Sequence, residues 1–145
     1  MRILRAFHED EGGQALILLA LFLVGLIAVA GLVADGGLVL AQRRDLQNAA
    51  DAAAAAGAMQ IDEAAYRASG GALIVLDPDA AQQAAIAYLV RENGTEYAVE
   101  TTDESVAVAV TRIAPTAFLR VLGIDGVEVG ARAVAEPRIG IAGGP

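Results

Sequence analysis

The sequence predicts an α+β protein: a long, membrane-spanning N-terminal helix followed by a small head with about two helices and a three-stranded antiparallel sheet. Three observations carry this. Twenty residues from Ala15 to Ala34 contain no charge. An Ala-rich segment with helical spacing continues to Met59. The last third of the chain alternates apolar and polar residues at the period of a strand.

At about 1.5 Å per residue, the uncharged run is roughly 30 Å long as a helix, the thickness of a bilayer's hydrocarbon core. It has no polar face, which a soluble surface helix of that length needs. The rest of the chain is Ala-rich and offers too little surface to wrap it as a core helix. A secretory leader would take Arg2 and Arg5 as its basic region and Ala28-Val29-Ala30 as its cut site. However, Glu9, Asp10 and Glu11 stand where that region should be positive, and the helical pattern runs past Ala30. The span is therefore placed at 15–34, after a short N-terminal tail at 1–13. Arg2 and Arg5 before the span balance Arg43 and Arg44 after it, so charge alone leaves the orientation open. A short first tail and an acid-rich remainder favour a cytoplasmic N-terminus.

Asp35, Gly36 and Gly37 mark the membrane exit. The plain expectation is that Asp35 has reached water, since a charge deep in lipid costs a few kcal/mol or more. Pairing with an Arg of a neighbouring subunit is the functional alternative.

The helix is expected to continue over 14–60, because Ala, Leu, Gln and Arg are strong helix formers. The two glycines suggest a bend rather than a stop. Leu38, Gln42, Leu46, Ala49, Ala53 and Ala56 recur at intervals of three or four residues and form a stripe with small side chains. Such a stripe admits a close helix–helix contact. Its partner is either the chain's own head or another copy of the chain.

The head is expected over 61–145. Residues 61–71 form a polar, glycine-rich connection, and Ala72–Leu76 is a strand or packed loop. Asp77-Pro78 opens a helix to Glu92, burying Ala81, Ala84, Ala85, Tyr88 and Leu89, and Asn93-Gly94 ends it. Thr95–Thr102 and Ser105–Arg112 form a hairpin. Pro115–Leu122 is a short helix with Phe118, Leu119 and Leu122 inward. Val127–Glu136 is a strand with one wet face, its Val127, Val129, Ala131, Ala133 and Ala135 pointing inward. Residues 139–145 are a patternless tail.

The chain holds 145 residues and a net charge of −8, with all ten bases arginine. That balance argues against nucleic-acid binding, which needs a basic face. There is no cysteine, so thiolate sites have no material; a triad or histidine metal site would have to be built around the single His8, and nothing near it supports one. Asp77 and Asp79 flank a proline at a helix start, where acids serve as caps rather than as a metal site. The Gly-Gly pairs lack the phosphate-loop frame. Asn93-Gly94-Thr95 fits a glycosylation sequon but reads as a helix exit. No catalytic, cofactor-binding or metal site is expected, no small-molecule substrate and no enzyme. The residues describe a membrane-anchored structural or assembly protein.

The segment Glu11-Gly12-Gly13-Gln14-Ala15, the step Ala34-Asp35-Gly36-Gly37 and the stretch from Arg43 to Ala58 resemble the N-terminal signature of the TadE/TadG-like proteins of Tad (Flp) pilus assembly. The resemblance is most specific from Leu46 to Gly57, and Ala133–Ala135 is similar to the final strand of these proteins. It implies a pilin-like or assembly component of a bacterial inner membrane, its head outside the cytoplasm. Its partners would be the lipid bilayer and other pilin-like or Tad subunits, itself included. The resemblance also implies a candidate peptidase cut between Gly13 and Gln14, although Leu18 stands where pilins carry Glu. Assembly through the long helix and recruitment of a partner by the head are the two functional expectations.

Overall fold

A computed structural model describes residues 11–92 and 94–137, with side chains from Gly13 onward. Most of the expected N-terminal tail, Asn93 and the C-terminal tail lie outside the described residues.

Helix α1 runs unbroken over Glu11–Ala58, 48 residues and about 72 Å. It starts three residues before the expected boundary at Gln14 and ends two before 60. The helix passes through Gly36 and Gly37 without interruption, and nothing lies within 4 Å of where their Cβ atoms would stand.

The 61–71 connection contains a helix the sequence reading missed, α2 (Glu63–Ala68). Its Asp62 caps the Ala64 and Ala65 amides, and an Arg67–Glu63 pair bridges one turn. Ala72–Leu76 is not a strand; only an isolated bridge joins Leu76 to Ile61. Helix α3 (Pro78–Leu89) begins where expected, with Asp77 capping Asp79 and Ala80. It ends three residues before Glu92, and the turn that follows uses Gly94 at φ +67°. Ala81, Ala85 and Leu89 are buried, Ala84 is half-buried, and Tyr88 faces out because it lies off the i, i+4, i+8 line.

Strands β1 (Glu96–Thr101), β2 (Val106–Pro115) and β3 (Gly126–Ala135) form an antiparallel sheet in that order. β2 starts one residue later than expected and ends three later, at Pro115. Val106, Val108, Val110 and Ala114 of β2 share the inner face with Val129, Ala131 and Ala133 of β3, set by the pairs Val108–Ala133 and Val110–Ala131. The outer half of α1 lies across this face, with α3 beside it. Leu46, Ala50, Ala53 and Ala54 of α1 complete the core with Leu76, Ala81, Ala85 and Leu89.

The expected amphipathic helix at Pro115–Leu122 is absent. A 3₁₀ turn, Leu119–Leu122, takes its place within the β2–β3 connection and buries none of its residues. Phe118 and Leu122, expected inward, are 47% and 78% exposed. The periodicity was an apolar cluster without a core beneath it.

Candidate functional site: the junction of helix and head

Contacts along α1 define how the head is mounted. At the far end Gly57 lies against α3 and β2: a Cβ there would stand 2.9 Å from the Ala81 carbonyl and 3.1 Å from Val106. Midway, the Gln47 amide donates to the Arg132 carbonyl at 3.0 Å. Closer to the span, Arg112 donates to Gln42 Oε1 at 3.2 Å. Finally Asp35 meets residues 117–119, and Phe118 covers Gly31, whose Cβ would overlap the ring. The β2–β3 hairpin therefore runs lengthwise along the helix, its open end at Gly57 and its tip at the apolar span. The lengths agree. Asp35 to Gly57 spans about 33 Å of helix, and Val106 to Pro115 about 30 Å of strand.

Asp35 is not a solvated exit residue. It is 1% exposed. One carboxylate oxygen accepts the Ala117 amide at 2.7 Å; the other accepts the Phe118 and Leu119 amides at 2.9 and 2.7 Å. Three successive N–H groups converge on it, as they do at a helix N-terminus. The Leu119 amide above all, then those of Ala117 and Phe118, hold the carboxyl below its ordinary value of 3.8 against the opposing effect of burial. The pairing with an Arg of another subunit is thus replaced by backbone donors of the same chain. Gly36, beside it, faces open space.

Arg112 occupies an inward position of β2, below the last buried valine. Its guanidinium donates to Thr95 Oγ1 at 2.7 and 3.0 Å and to Glu92 at 3.4 Å as well as to Gln42. It ties α1, the end of α3 and the approach to β1 with one side chain. Spacing showed Gln42 as part of a stripe but not its role as an acceptor.

The stripe itself divides. Leu46, Ala49 and Ala53 are buried under the chain's own α3 and sheet, and Ala56 and Gln42 are half-buried. Leu38 is 48% exposed and lies outside the contact. An open seam awaiting a second copy is therefore not what these residues form; the head fills it. The small side chains let α3 approach α1 closely. Gly13 and Gln14 lie exposed near the start of α1.

From Gly13 to Ala30 every residue of α1 is exposed, including Leu21 at 69% and Phe22 at 64%. No described part of the chain covers this half. Soluble monomers rarely leave so large an apolar surface bare. The helix is long and apolar enough to cross a membrane. Among the described residues no group of three or more metal-ligating side chains gathers.

Comparison with known proteins agrees with the resemblance. Residues 13–60, a third of the chain, match the Tad family described as "Putative Flp pilus-assembly TadE/G-like". No curated protein and no solved structure matches the chain. The match covers all of the bare apolar half and all the α1 residues that hold the head. The segment similar to this family thus lies on the one helix among the described residues that is long and apolar enough to cross a membrane.

Proposed function

We propose that this chain is a structural or assembly subunit of a bacterial Tad (Flp) pilus or related secretion machine, held in the inner membrane by residues 15–34 with its head outside the cytoplasm. The observation that carries it is the bare apolar half of α1, which lies within the family-matched segment and is joined without a hinge to a folded head. Because Leu46, Ala49 and Ala53 are already covered, a neighbouring subunit would meet the exposed half of α1 rather than the outer seam. Under this reading a peptidase could act between Gly13 and Gln14.

The test is fractionation of native cells into membranes, sheared pili and soluble protein, with mass spectrometry of the chain's N-terminus in each. Recovery in membranes or pili is expected, and an N-terminus at Gln14 would establish the cut. Recovery only as a soluble, unpartnered monomer would overturn the proposal.

A second reading has its own support. At the end of the head far from the span, a shallow concavity of about 750 Å³ is lined by Ala55, Ala58, Met59, Ile61 and Val134. Met59 and Val134 are 76% and 68% exposed there. With Glu136 also on its lining, this mixed apolar and acidic hollow suits a tethered module that recruits a partner. Replacing both with Asp would leave pili intact and abolish partner capture under the second reading; loss of pili would favour the first.

A further inference from the structure

The β2–β3 connection, Thr116–Asp125, turns an apolar surface outward at one particular height. Val121 is 85% exposed, Leu122 78%, Phe118 47% and Ile124 44%. Gly123, at φ +86°, takes the left-handed conformation that reverses the chain directly after Leu122. The height is fixed by two contacts. Asp35 holds the amides of residues 117–119, and Phe118 lies on Gly31, one helical turn toward the lipid side. On α1 itself Leu32 and Val33, between those two contacts, are 58% and 70% exposed. The loop's apolar residues thus continue the apolar surface of the span sideways, instead of forming an isolated patch on the head.

Resting on the membrane-anchored reading, we propose that this connection lies in the surface layer of the same bilayer, with Val121 and Leu122 inserted among the lipids as a second point of attachment. The level of the loop argues for lipid rather than a protein partner, because its neighbours on α1 are themselves the last residues of the span. The polar groups fit that position. Asp35, just past the end of the span, has its oxygens filled by amides and so needs no water there. Arg120 and Asp125 are exposed and only loosely paired, at 3.9 Å, so each is free to reach water or headgroups. With a net charge of −8, the chain gains no general attraction from anionic lipid, so the contact must be apolar.

The absence of cysteine makes the test direct. The full chain, in nanodiscs of phosphatidylcholine, is spin-labelled singly through Val121→Cys, Leu122→Cys, Leu21→Cys and Asp103→Cys. Accessibility to oxygen, which concentrates in lipid, is compared with accessibility to a water-soluble nickel chelate. Labels at 121 and 122 should resemble 21, with an oxygen-to-nickel ratio several-fold above that at 103. If 121 and 122 behave like 103 while 21 is in lipid, the attachment is refuted and the anchor stands. If 121 and 122 are shielded from both reagents and show spin–spin coupling between copies, a second chain occupies the patch and the proposal fails. If 21 is also open to the chelate, the anchored reading fails, and this inference with it. All four side chains are exposed, so the labels do not disturb packing.

Discussion

The Leu119 amide donates to the Asp35 carboxylate at 2.7 Å across 84 positions of sequence. That bond, with its two neighbours, fastens the tip of a hairpin to the point where α1 leaves its apolar stretch.

Asp35→Ala should leave the amides of Ala117, Phe118 and Leu119 without their acceptor. Their hydrogen exchange should accelerate selectively, while the amides of β2 and α3 keep their protection. The same loosening should follow from acid. Because the folded-state pKa lies below 3.8, the contribution of Asp35 is complete above that value and is lost as pH falls through the lowered folded value. Exchange in the tip that is unchanged by the substitution and by acid would contradict the assignment.

Two glycines on one helix should respond oppositely to alanine. Gly57→Ala puts a Cβ 2.9 Å from the Ala81 carbonyl and should destabilise the head by about 1–3 kcal/mol, despite better helix propensity. Gly36→Ala enters open space and should stabilise by about 0.4–1 kcal/mol. Urea unfolding of the full chain in micelles, followed by tyrosine fluorescence, measures both.

Leu46 is fully buried between α1, α3 and the sheet. Leu46→Ala should cost about 2–5 kcal/mol. Leu38→Ala, on an exposed position of the same stripe, should cost much less. Equal effects would mean that the stripe, not the head, sets the packing.

Val24 stands near the middle of the uncharged run. Val24→Arg should make insertion about 2.5–3.5 kcal/mol less favourable. A membrane-insertion reporter carrying the span should show a matching fall in the inserted fraction, whereas Ala41→Arg, beyond the span, should have no such effect.

The parts of the fold visible in the sequence are those set by local rules. Val106, Val108 and Val110 alternate strictly, and the sheet face follows from that period. Asp77-Pro78 supplies a cap and a preset first turn, so α3 begins where expected. α2 is short enough to escape periodicity, although Asp62 and the helix formers after it were readable. Phe118, Leu119 and Leu122 have the spacing of a buried helix face, but spacing cannot tell a core from any other apolar surrounding. Asp35 could not be assigned in advance. Its partners are backbone amides, which carry no residue signature, and they lie more than eighty positions away. The stripe announced a close neighbour without naming it, because small side chains fit α3 as well as they fit a second copy.

No linker separates the part of α1 that sits bare from the part that carries the head. The 24 residues from Asp35 to Ala58 make a rigid arm of about 35 Å. A change of about 10° in how the lower rod leans would sweep the far tip of the arm sideways by about 6 Å. Thinning of the lipid, or crowding by adjacent rods, would therefore be felt at Met59 as displacement, with no hinge to absorb it.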